Sequence, residues 1–224
     1  MKIVIANIND AYQNLENFLA TKFASHIHFI KTKEELNDFV LQKIQPHYIF
    51  FPHWSFIIPS DIYKKYNCVV FHMTDLPYGR GGSPLQNLIV RQHSSTKLSA
   101  LKVAEGLDTG DIYLKKDLDL SGTAADIFER AGELMKEMIV EIVEKNIQPT
   151  PQEGEAVVFK RRKPEDGNIE NLQSAQEIYD FIRMLDADHY PKAFLETKYF
   201  RFEFTKASLE STDNLSAHVR IIKK

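Results

Sequence analysis

Residues 69–89 read VVFHMTDLPYGRGGSPLQNLI. The run opens as an apolar strand and closes as a helix, with Pro84 suited to a first helical turn. Between them stand His72, a Leu-Pro pair, Arg80 and a cluster of small residues. A strand that ends on an imidazole and then loops into a helix fits the carboxyl edge of an open α/β sheet. Ligands gather beyond that edge.

The pattern upstream agrees. KIVIA (2–6), HIHFIK (26–31), HYIFF (47–51) and CVVFH (68–72) read as strands. NLENFLATKF, TKEELNDFVLQKI and IPSDIYKKY read as the helices between them, the second of these capped at Thr32. This alternation predicts a Rossmann-like open, mostly parallel sheet with helices on both faces. Downstream, STKLSALKV returns as a strand, EGLDTGDIYLKKDLDL is a glycine-punctuated loop with a short strand, and residues 123–146 hold the longest helical pattern. The tail alternates at 199–204 and 219–222. The expected division is a catalytic domain over 1–190 and a short β extension over 191–224.

The 224 residues are 43% hydrophobic and 26% charged, ordinary for a globular protein. A formal net charge of −3 argues against the basic footprint of a nucleic-acid binder. Cys68 is the single cysteine, so no intrachain disulfide forms and a reducing compartment fits. The start MKIVIANIND is too short an apolar run for a signal peptide, and no run reaches the roughly 18 apolar residues of a membrane span. A cytoplasmic protein with neither membrane nor nucleic-acid partner is expected. The alternating tail could pair with a second copy to give a homodimer, or fold back on its own domain.

Several chemistries lack their signatures. IANINDA carries no glycine where a dinucleotide fingerprint needs them, and GRGGS lacks the Lys-Ser/Thr ending of a P-loop. His26 and His28 have no second ligand pair at zinc spacing, so no metal is expected. What remains is His72 at a strand end and Asp108 in GLDTGD, residue types that can act as a general acid/base pair.

At these residues the sequence resembles a known family. FHMTDLPYGRGGSPLQ is similar to the H-x-S-L-L-P-x-x-R-G-x-x-P-x-Q signature of formyltransferases that use 10-formyltetrahydrofolate. AEGLDTGDIY resembles their G-x-D-T-G signature, and Asp108 follows His72 by 36 residues, as in the family. FKRRKPEDGNIE (159–170) and HYPKAFLE resemble segments of the members that modify nucleotide-linked sugars. The resemblance covers roughly residues 45–196. It departs at one place: the family carries a catalytic asparagine two residues before the histidine, and here that position is Val70.

The resemblance implies a Rossmann-like formyltransferase fold and transfer of a formyl group from 10-formyltetrahydrofolate to a primary amine. The acceptor it suggests is a UDP- or dTDP-linked amino sugar, in a bacterial surface-glycan pathway of the pseudaminic acid kind. The alternatives are a methionyl-tRNA or glycinamide ribonucleotide formyltransferase, or a binding homologue without catalysis. The short tail and the acidic balance weigh against the methionyl-tRNA reading. The catalytic residues expected are His72 and Asp108, with Thr74 or His53 replacing the asparagine; Ser55 and backbone N–H groups are further options. The folate is expected at Trp54, Ser55 and Phe56 and at Val103, Ala104, Glu105, Gly106 and Leu107. The acceptor is expected at Arg80, Gly81, Gly82, Ser83, Asn7 and Asn9, with Arg161, Arg162 and Lys163 as further cations.

Overall fold

The computed structural model describes residues 1–8 and 12–224. Its first strand, β1 (Ile3–Asn7), is buried at every residue, as befits a strand covered on both faces. β2 (Ile27–Ile30) and β3 (Tyr48–His53) flank it in parallel, and β4 (Asn67–His72) continues in parallel beside β3. β6 (Ser95–Lys102) runs antiparallel to β4, and β7 (Ile112–Asp119) closes the edge, giving the order β2-β1-β3-β4-β6-β7. β5 (Tyr78–Gly81) and β8 (Val157–Phe159) form a separate two-stranded ribbon. The chain therefore has a Rossmann-like α/β fold with a mostly parallel sheet.

The helices are α1 (Gln13–Phe23), α2 (Asp38–Ile44), α3 (Ser60–Tyr63), α4 (Pro84–Val90), α5 (Ala124–Lys145) and α6 (Ala175–Arg183). α2 starts later than expected. Asn37 is its cap, with Oδ1 accepting the Val40 N–H at 3.0 Å. Thr32 instead sits in a preceding turn, where its hydroxyl accepts from the Glu35 N–H while the Glu35 carboxylate accepts from Lys31 N–H. These local bonds satisfy the backbone without a helix, and buried Leu36 anchors the turn.

Contacts divide the chain into two units. The first comprises Met1–Arg80, Lys97–Leu118 and Arg130–Val158, and carries the six-stranded sheet. Its main core cluster includes Val4, Ala6, Ile30, Leu41, Ile49, Phe51, Ile62 and Cys68. The second comprises Gly81–Thr96, Asp119–Glu129 and Phe159–Lys224. It holds an antiparallel sheet of β9 (Ala193–Glu196), β10 (Phe200–Leu209) and β11 (Leu215–Lys223), in the order β11-β10-β9. α6 packs on β10, and a register shift between Thr205 and Ser208 bends that strand. Among the described residues no helix is long and apolar enough to cross a membrane.

Candidate active site

The carboxyl edge of the sheet turns polar in one row. Asn7 on β1 pairs in register with His53 on β3, and His72 on β4 pairs with Ser99 on β6. Phe51 on β3 pairs with Val70 on β4, two residues before His72. Side chains two apart share a face. His72 and Val70 thus lie on the same side of β4.

His72 is buried, and its Nε2 donates to the Gly79 carbonyl at 2.8 Å. A carbonyl only accepts, so Nε2 carries the hydrogen and a neutral ring leaves Nδ1 as the basic nitrogen. Nδ1 lies 3.6 Å from Asp108 Oδ2. That separation is an electrostatic contact, too long for a hydrogen bond. The two side chains are only 9% and 13% exposed, so water screens the contact weakly.

Asp108 sits in a tight loop at φ 53, a left-handed conformation that aspartate tolerates. Thr109 Oγ1 closes the loop onto the Glu105 carbonyl at 2.7 Å. Gly110 is obligatory there, because a Cβ would lie 1.7 Å from the Lys102 carbonyl oxygen.

Thr74 is fully buried; its hydroxyl donates to the Gly79 carbonyl at 3.4 Å and its own carbonyl accepts from Ser99 Oγ at 2.7 Å. It therefore braces the turn that holds His72. His53 is half-buried, 6.1 Å from the Tyr12 ring, and burial pushes its imidazole below the ordinary range. Val70 packs against the main core and against a second cluster of Leu76, Leu101 and Ile112.

The expected folate residues split by burial. Trp54 packs edge-on against Phe51 and Phe56 at 5.6 and 5.7 Å, and its buried Nε1–H has no partner among the described residues. Val103 packs on the same core cluster as Trp54, and its N–H donates to the Cys68 carbonyl. Ser55, Phe56 and residues 104–107 are exposed.

Arg80 belongs to the first unit, where Nε and Nη2 both donate to Gln152 Oε1. Gly81, Gly82 and Ser83 belong to the second unit. There the space a side chain would take at Gly81 and Gly82 is filled by the Phe159 carbonyl and by Arg161. Ser83 Oγ accepts the Arg162 N–H. Asn7 is fully buried and donates to Glu16 Oε1 at 2.8 Å. Asn9 lies outside the described residues. Residues 163–167 form a capped turn, with the Lys163 N–H donating to Asp166 Oδ2.

Sequence reading missed Gln152. It arrives from a loop with no motif, delivered because Thr150 and Ile112 exchange backbone bonds beside β7. A surface hollow of about 570 Å³ opens at the opposite, amino-terminal ends of β3 and β4, lined by residues such as Pro46, His47 and Asn67. It holds no general acid/base pair like that of His72 and Asp108, so the carboxyl edge is the candidate site.

A methionyl-tRNA formyltransferase from Clostridium thermocellum is 48% identical over the whole of both chains and superposes with a TM-score of 0.95. The chain belongs to the methionyl-tRNA formyltransferase family, within the 10-formyltetrahydrofolate-dependent formyltransferases. A family model for the methionyl-tRNA formyltransferase C-terminal domain matches residues 164–222. The methionyl-tRNA formyltransferase of Rickettsia massiliae is 32% identical over 156 residues, 66% of this chain and 52% of that protein. The chain spans about half the length of the curated relatives it matches. A sugar N-formyltransferase from Shewanella is 18% identical at a TM-score of 0.67 and covers 88% of this chain, which attests the fold alone.

These relationships correct the expectation of a nucleotide-sugar acceptor and of no nucleic-acid partner. The short tail was part of that expectation, yet the Clostridium protein is matched end to end by a chain with the same tail. Net charge sums over the whole surface and does not forbid a local contact with RNA. The RRKPEDG resemblance is no discriminator, since the C-terminal family match begins at residue 164, inside it.

Proposed function

We propose that the protein transfers a formyl group from 10-formyltetrahydrofolate to the amine of methionyl-tRNA. The full-length similarity to the Clostridium methionyl-tRNA formyltransferase carries this reading. The juxtaposition of His72 and Asp108 at the strand ends supports it.

The neutral amine attacks the formyl carbon, and the new C–N bond forms as the amine proton passes to His72 Nδ1. That nitrogen is available because Nε2 already donates to Gly79. Asp108 stabilises the resulting imidazolium across 3.6 Å. The same proton then goes to N10 of the folate as the C–N10 bond breaks. The tetrahedral intermediate carries an oxyanion, and Val70 offers it no donor. His53 is the side chain proposed to supply one, since burial keeps its ring neutral with one N–H to give. Trp54 and Val103, packed on one cluster with Phe56 exposed beside them, offer the flat apolar wall a pterin needs.

The test is incubation of the purified protein with 10-formyltetrahydrofolate and methionyl-tRNA, followed by mass analysis of the aminoacyl end. Formylmethionine is the expected product. An unmodified methionyl amine after prolonged incubation with intact donor overturns the reading.

A further inference from the structure

We propose that Gln152 is a positioning residue that ties Asp108 and Arg80 into one rigid unit; the proposal rests on the formyl-transfer reading above. Its side-chain amide is engaged at both ends. Nε2 donates to the Asp108 carbonyl at 2.9 Å and to the Gly110 carbonyl at 2.7 Å. Oε1 accepts from Arg80 Nε at 3.1 Å and from Nη2 at 2.7 Å. All four bonds lie within the first unit, and Gln152 itself is only half-exposed.

The two ends do different things. The Nε2 arm pins the backbone on both sides of Thr109, in a loop whose aspartate must stay beside an imidazole 3.6 Å away. A small displacement there changes the Asp108–His72 distance directly, and misplacement of a reacting group is costly in rate. The Oε1 arm fixes the Arg80 guanidinium through a neutral amide. No ion pair to Arg80 exists among the described residues, so its positive charge is oriented yet unneutralised. A guanidinium held in this way suits a phosphodiester oxygen of the acceptor.

Two variants of nearly equal size test both arms. Gln152→Glu keeps acceptor oxygens for Arg80 but has no N–H for the two carbonyls. Gln152→Met loses both arms. In steady-state assays with 10-formyltetrahydrofolate and methionyl-tRNA, kcat is expected to fall roughly tenfold or more in both. KM for the tRNA is expected to rise roughly fivefold in both, because the Met variant leaves Arg80 unoriented and the Glu variant orients it but neutralises its charge. Amide hydrogen exchange across residues 106–111, measured without substrates, is expected to quicken in both. Equal kcat in a folded Gln152→Glu protein, or unchanged exchange of that loop, overturns the proposal. If the unsubstituted protein forms no formylmethionyl product, the proposed function fails on its own account and the exchange measurement alone decides whether Gln152 holds the Asp108 loop.

Discussion

The ends of β1 and β4 pose the same physical problem and solve it in opposite ways. Both carry a buried polar side chain at the carboxyl edge of one sheet, Asn7 and His72. At β1 Asn7 donates to Glu16, and Lys31 bridges both oxygens of Glu16. At β4 the imidazole is fixed through Nε2 only, and Nδ1 faces a carboxylate from outside hydrogen-bond range. A carboxylate met by both an amide and an ammonium stabilises and stays inert. A ring held on one side, with a basic nitrogen aimed at a carboxylate, is arranged to pass a proton.

The sharpest way to break this contrast is to neutralise one charge at each end. Asp108→Asn is expected to lower formyl transfer by about a hundredfold or more, with little change in the urea midpoint. Lys31→Met removes the counter-ion of Glu16, whose side chain is 5% exposed. It is expected to destabilise the fold by about 2–4 kcal/mol, somewhat below a fully buried pair because Lys31 itself is half in solvent. Turnover per folded molecule is expected to hold. If Lys31→Met abolishes turnover at full stability, or Asp108→Asn unfolds the protein, the two ends are not the distinct devices described.

Val70→Asn tests the middle of the row. Its side chain shares the His72 face and packs between two apolar clusters. An asparagine there adds a donor beside the imidazole, so turnover is expected to rise about tenfold as an oxyanion contact is gained. A buried amide among apolar neighbours costs about 1–3 kcal/mol, which thermal unfolding would register. Lower turnover together with lower stability would mean that the apolar contact at Val70 matters more than a donor.

How much of this was readable in advance follows from where the information sits. The parallel strands announced themselves because strands buried on both faces must be continuous apolar runs, as in IVIAN of β1 and NCVVFH of β4. β5, with the sequence YGRG, has no such run; its existence depends on pairing with β8 far along the chain. His72 and Asp108 were legible because each sits in a local motif. Gln152 was not, since its role comes from a bridge between Thr150 and Ile112 that no local spacing encodes. The acceptor was misread because RRKPEDG looks like a recognition element, whereas Asp166 there caps a turn. The pairing of Asn7 with Glu16 on α1, and the burial of that pair, are tertiary facts that no local spacing encodes.

The smallest expected effect concerns His53, which stands between the two ends in the row. Burial lowers its imidazole pKa, so the folded state binds fewer protons than the unfolded chain at mildly acid pH. Its neutral ring is fully compatible with the fold above the ordinary histidine value of about 6.5. Stability is then lost as pH falls from that value through the lower folded one. The thermal midpoint is expected to drop between pH 7.5 and pH 5.5, and to drop less in His53→Gln, which has no ring to charge. Because the ring is only half-buried, solvent softens the penalty, and the difference between the two proteins should be modest. If both lose the same stability over that range, protonation at His53 is accommodated without penalty. The ring would then be no sheltered neutral donor, and the proposed oxyanion contact would need another source.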